Sequence, residues 1–146
     1  MLGKLSRFLR ILGYDTRYRK KENLTKMFVT SATEGRIILT RSKRVYNIAH
    51  SIGIKVYYFS VVYVVDQLKM LQRNNLIKIT TEPLNPRCSE CNGILKKTDK
   101  EEVINRLPEG TARRYDSFWQ CMDCKRVYWI GQHWKDIKLK LEAASG

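Results

Sequence analysis

A chain of 146 residues, 43% of them hydrophobic, is long enough to bury one core, or one small domain carrying a stapled appendix. Its 28 Lys and Arg outnumber 14 Asp and Glu, and the net charge of +14 suits a polyanionic partner such as RNA, DNA or an anionic membrane. With no run of about 18 apolar residues and no secretory apolar segment, neither a transmembrane helix nor a secreted protein is expected.

In chain order, Leu2, Leu5, Phe8, Leu9 and Leu12 recur at helical spacing and Gly13 is placed to end the helix. Lys4, Arg7 and Arg10 form a basic stripe beside that face, which is either a solvated surface or a ridge for phosphates. The acid-free opening also has the look of a transit peptide or a membrane-surface helix, but it leads straight into patterned sequence. A short strand is expected at Tyr14 to Tyr18. A helix from about Asn23 to Glu34 follows, with Leu24, Met27, Phe28 and Ala32 inward, Asn23 as N-cap and Gly35 as its stop. Further strands are expected at 37–40, 55–59 and 76–80, with helices through Val45 to Ile52 and over 61–74 between them. Alternating strands and helices predict an α/β fold with a mainly parallel sheet flanked by helices.

The positive charge is concentrated early: residues 1–80 hold 16 Lys and Arg against four acids, Asp15, Glu22, Glu34 and Asp66. Residues 81–146 hold 12 against ten. The two prolines of TEPLNP interrupt the pattern, so the expected division is a basic α/β domain at 1–80 and a second unit at 81–146.

That second unit carries all four cysteines, as Cys88-Ser-Glu-Cys91 and Cys121-Met-Asp-Cys124 with 29 residues between the pairs. Two C-x₂-C knuckles supply four thiolates to one tetrahedral Zn²⁺, and an all-sulfur set leaves no position for a reacting water. Disulfides, a redox pair or an iron–sulfur cluster are the competing readings. Asn92-Gly93 suits a tight turn after the first knuckle, and strand-forming residues bracket the second, which outlines a zinc ribbon with a C-terminal helical tail. Trp119, Tyr128, Trp129 and Trp134 serve either as the small core of the ribbon or as stacking surfaces for bases. His133 reads mainly as a capping or hydrogen-bonding residue, and His50 as structural.

The segments MLGKLSRFLRILGYDT, EGRIILTR, RCSECNGIL and FWQCMDCKRVYWIGQHW together resemble the Mut-seven C-terminal RNase domain family, in the family's order and over nearly the whole chain. The resemblance implies a PIN-like nuclease fold with an attached zinc ribbon. It also implies carboxylates at the ends of parallel strands that hold Mg²⁺ or Mn²⁺ for phosphodiester cleavage. Against that pattern the family's first strand and its Asp are expected to be missing, Glu22 stands beside Asn23 where the family has an acidic cluster, and Thr40-Arg41-Ser42 replaces T-R-D. Glu22 and Asp15 are the remaining catalytic candidates, and Asp66 has no secure counterpart. The bases Arg17, Arg19, Lys20, Lys21, Arg41, Lys43 and Arg44, with Ser42 as a hydrogen-bond donor, are expected to hold RNA together with Lys4, Arg7 and Arg10.

The expected function is thus RNA binding by a catalytically degenerate domain in the cytoplasm, in a ribonucleoprotein such as the ribosome, with ribosomal RNA and ribosomal proteins as partners. An active Mg- or Mn-dependent endoribonuclease is the alternative.

Overall fold

The computed structural model describes residues 2–146. Helix α1, Gly3–Ile11, forms where Leu5, Phe8 and Leu9 share a face, and all three are buried. Gly13 stops it at φ 95°, where a Cβ would stand 2.8 Å from the Asn85 carbonyl oxygen. Helix α2, Leu24–Glu34, begins at Asn23, whose side chain accepts from the Lys26 N–H at 3.2 Å, and ends at left-handed Gly35. Its expected inward face is only partly covered: Leu24, Met27 and Phe28 are half-buried, and Ala32 is exposed.

Strand β1, Ile38–Thr40, leads into α3, Lys43–Ser51. Strand β2, Val56–Tyr58, leads into α4, Val64–Arg73. β1 and β2 pair in parallel, with Ile38 opposite Val56 and Thr40 opposite Tyr58. The strands expected at 14–18 and 76–80 do not form, because side chains take up their backbone groups. The Lys78 N–H donates to the Tyr14 hydroxyl at 2.7 Å and the Ile79 N–H to Gln72 Oε1 at 2.9 Å. Likewise the Thr16 N–H donates to Asn92 Oδ1, and its carbonyl accepts from Arg10 Nε, both at 2.9 Å.

The C-terminal unit is a three-stranded antiparallel sheet of β3, Leu95–Thr98, β4, Phe118–Cys121, and β5, Val127–Tyr128, in that order. Two one-turn helices, α5 at Lys100–Val103 and α6 at Thr111–Arg114, fill the long connection, and buried Val103 and Phe118 give the ribbon a small core. The final helix, α7, Gln132–Ser145, leaves the ribbon and packs on α4. Its Leu141 and Ala144 join Leu5, Phe8, Leu9, Phe59, Leu68 and Leu71 in the main core. Each large side chain so buried contributes about 1.5–3 kcal/mol, and α4, touched by both α1 and α7, is the centre of that core. No helix among the described residues is long and apolar enough to cross a membrane.

Candidate metal centre and basic cleft

The two cysteine pairs build one site by the same local bonds. In each, the N–H of the first cysteine donates to a carbonyl five residues on, Cys88 to Gly93 and Cys121 to Arg126, both at 2.8 Å. The residue after the second cysteine, Asn92 or Lys125, is left-handed at φ 73° or 66° and donates its N–H back to the first cysteine's carbonyl. Gly93 permits the two turns to meet, since a Cβ there would lie 2.6 Å from Cys121 Sγ. All four sulfurs lie within 4.8 Å of one another, with Cys91 and Cys121 Sγ 3.4 Å apart and Cys88 and Cys124 Sγ 3.7 Å apart. A tetrahedral ion with metal–sulfur bonds of about 2.3 Å requires sulfurs about 3.8 Å apart. The donor set therefore fits a metal ion such as zinc, held by four thiolates with no free position.

Burial and neighbours make these thiols unequal. Burial pushes Cys91 up to about 12; at Cys121 burial also raises the thiol, but hydrogen bonds from the backbone N–H groups of Cys124 and Asp123, with those to the Cys91 and Cys124 thiols, together bring it down to about 7. The Tyr128 hydroxyl lies 2.9 Å from Cys88 Sγ; burial first, and then that hydrogen bond, raise its pKa.

The first knuckle is clasped to α1. Arg87 donates its N–H to the Arg10 carbonyl at 2.8 Å, and Arg10 NH1 donates to the Ser89 carbonyl at 2.9 Å. Arg10, expected on an exposed basic ridge, is thus corrected to a buried clamp, 5% exposed, unable to meet a phosphate. Arg7 stays exposed and pairs with Glu90 at 3.5 Å, and Lys4 is exposed.

Asp15 belongs to the same clasp. Its Oδ1 accepts from Asn92 Nδ2 at 2.6 Å and its Oδ2 from Arg36 NH2 at 2.8 Å. Arg36 also bonds Glu34 through Nε at 2.7 Å. The Asn92 hydrogen bond, followed by that from Arg36, lowers the Asp15 pKa below its ordinary 3.8. A depressed carboxylate stabilises the fold above its ordinary pKa and loses that contribution as pH falls through the folded value. Asp15→Asn should therefore cost about 0.5–1 kcal/mol at neutral pH, a modest figure for a half-exposed group. Urea unfolding curves of variant and parent should draw together as pH falls below the ordinary carboxylate value of 3.8.

Asp15 and Glu22 both line a cleft of about 580 Å³, together with Arg17, Arg19, Lys20, Arg36 and Arg41. Two carboxylates, one of them with both oxygens engaged, face five cations there. The Nε of Arg41 is buried with no hydrogen-bond partner among the described residues. Ser42 does not line the cleft; it caps α3, accepting from the Val45 N–H at 3.3 Å. Lys43 and Arg44 are exposed in the first turn of α3, which holds no acid, and Lys21 is exposed beyond the cleft. Asp66 sits in the first turn of α4, away from the cleft lining.

His50 stacks on Tyr46 at 5.6 Å, and His133 meets Trp129 edge-on. Trp119, Tyr128, Trp129 and Trp134 are half-buried. Arg36, the centre of the ion-pair cluster, carried no sequence signal, because Asp15 lies 21 residues away from it.

These features define a mixed α/β protein with a small parallel sheet, locked to a ribbon whose four cysteines could hold a metal ion. A model of the Mut7-C RNAse domain matches residues 1–141 of the 146-residue chain, and the chain belongs to that family. No curated protein and no solved structure matches it. Family membership points to a function on RNA.

Proposed function

We propose that the chain binds RNA without cutting it, on the basic surface where β1 gives way to α3. The supporting observation is the state of the carboxylates there: Asp15 has both oxygens bonded, Ser42 is a helix cap, and Glu22 is the other carboxylate lining a cleft with five cations. A two-metal nuclease needs several convergent acids, and neighbouring cations oppose Mg²⁺. Two bases at the start of α3 are also unfavourable to the helix dipole by about 0.3–1 kcal/mol each, a cost that a bound phosphate reverses. Arg17, Arg19, Lys20, Lys21, Arg41, Lys43 and Arg44 are the phosphate contacts, on a PIN-like domain at 1–80 with a ribbon unit from 81. Ribosomal RNA in a cytoplasmic ribonucleoprotein is the partner put forward, and the ribbon metal is zinc, bound where thiols stay reduced.

The family's description as an RNAse domain favours a second reading, an Mg- or Mn-dependent endoribonuclease using Glu22. Structured and single-stranded RNA incubated with either ion should remain intact at protein concentrations that bind it. Turnover that disappears in Glu22→Ala would establish the enzyme and overturn the binding-only reading.

A further inference from the structure

Strand alternation splits the parallel pair into two faces. Leu39, Tyr57 and Phe59 meet the main core, so Ile38, Thr40, Val56 and Tyr58 turn the other way, toward α3. α3 runs back against the strands, which brings the end of β2 to the start of the helix. There the rings of Tyr58 and Tyr46 lie 6.1 Å apart at 53°. One turn further along α3, His50 stacks on Tyr46, with centroids 5.6 Å apart and planes 10° from parallel. His50 is exposed and the helix ends at Ser51, so no further turn of α3 covers its outer face.

The surroundings of these rings carry one sign of charge. Residues 36–65, which include β1, α3 and β2, contain no Asp or Glu but five Lys and Arg. Lys43 stands three residues before Tyr46 and shares its side of the helix, and Lys55 precedes β2 at the His50 end. The hydroxyls of Tyr14, Tyr57 and Tyr128 are engaged by the Lys78 N–H, Asn74 and Cys88. Those of Tyr46 and Tyr58 have no hydrogen-bond partner among the described residues. Parallel rings with an open outer face, set between cations, match the flat base and the phosphates of a single strand. We infer that α3 takes an unpaired RNA base, stacked on His50 as the third layer of the Tyr46–His50 pair, with Lys43 and Lys55 on the flanking phosphates. A base stacked inside a duplex cannot offer its face to a side chain, so the RNA is single-stranded where it crosses α3. A duplex would meet the cations and leave the rings empty. The inference rests on the RNA reading and adds the class of RNA that the surface selects.

The test uses the full chain, a single-stranded RNA of about ten nucleotides with 2-aminopurine at its centre, and the same sequence as a duplex. Binding should quench the 2-aminopurine fluorescence, and the strand should bind roughly tenfold or more tightly than the duplex. His50→Ala should weaken the strand by roughly fivefold to a hundredfold and close the gap to the duplex. It should leave the salt slope unchanged, because a stacked base releases no counterion. His50→Phe should restore the preference for the strand. Lys43→Ala should instead weaken strand and duplex alike and flatten the slope. Equal affinity for strand and duplex, or unchanged affinity in His50→Ala, would overturn the inference, while the effect of Lys43→Ala would keep the RNA reading standing. No binding of either RNA would overturn both. Self-association that His50→Ala abolishes would make the rings a contact between copies of the chain and would also overturn the inference.

Discussion

Stripping the metal from the four-cysteine site should unfold the first half of the chain along with the ribbon. Structural zinc sites contribute apparent free energies of about 10–16 kcal/mol, and here the knuckle that such an ion would hold is also where α1 finds its partners. Arg10 is buried with Nε on the Thr16 carbonyl and NH1 on the Ser89 carbonyl. Asn92 ties the same knuckle to Asp15 and Thr16. When the knuckle opens, the guanidinium loses hydrogen bonds worth about 1.5–3 kcal/mol each, and Leu5, Phe8 and Leu9 lose the brace that holds their helix. Thermal unfolding followed by circular dichroism, with and without a chelator, should show one transition that moves down by roughly ten degrees or more. Cys88→Ser should behave like the chelated protein. Loss of ribbon signals alone, with the helical transition unmoved, would show that the clasp carries no stability.

RNA affinity should fall by about 10³–10⁵ between 50 and 200 mM salt if six to ten phosphates are engaged. Removing one contact, as in Lys43→Ala or Arg44→Ala, should flatten the log–log salt slope by about 0.9 and weaken all sequences alike. Arg10→Gln provides the contrast: it should lower the melting temperature through the clasp and leave the slope of the folded fraction unchanged. Fluorescence anisotropy across a salt series reads both effects. A slope near zero, with affinity retained, would show that the basic surface is not the contact.

Much of the architecture was legible because it is written locally. Leucines three and four apart announced α1, Asn23 and Gly35 marked both ends of α2, and two C-x₂-C pairs announced a four-sulfur site. What failed was set by distant partners. Tyr14 to Tyr18 and 76–80 have strand-forming composition, yet Tyr14 and Gln72 side chains hold the second segment, and Asn92 and Arg10 hold the first. Arg10 keeps the spacing of an exposed stripe, and only the return of residues 87–92 buries it. At Ser42 the missed signal is local: its position before Lys43 makes it the N-cap of α3, accepting from the Val45 N–H. Asp15 was read as a remnant of chemistry, and the partners that occupy it, Arg36 and Asn92, lie 21 and 77 residues further on.

The packing of α7 on α4 has a consequence for how the molecule is made. Leu5 and Ala144 belong to one buried cluster, so its completion requires segments separated by almost the whole chain. Such non-local closure is slow compared with helix formation, and during synthesis α1 and α4 must wait with their apolar faces uncovered until α7 emerges. The interval before α7 arrives is therefore the aggregation-prone phase of this protein's life, and a chain released short of residue 141 would remain in it.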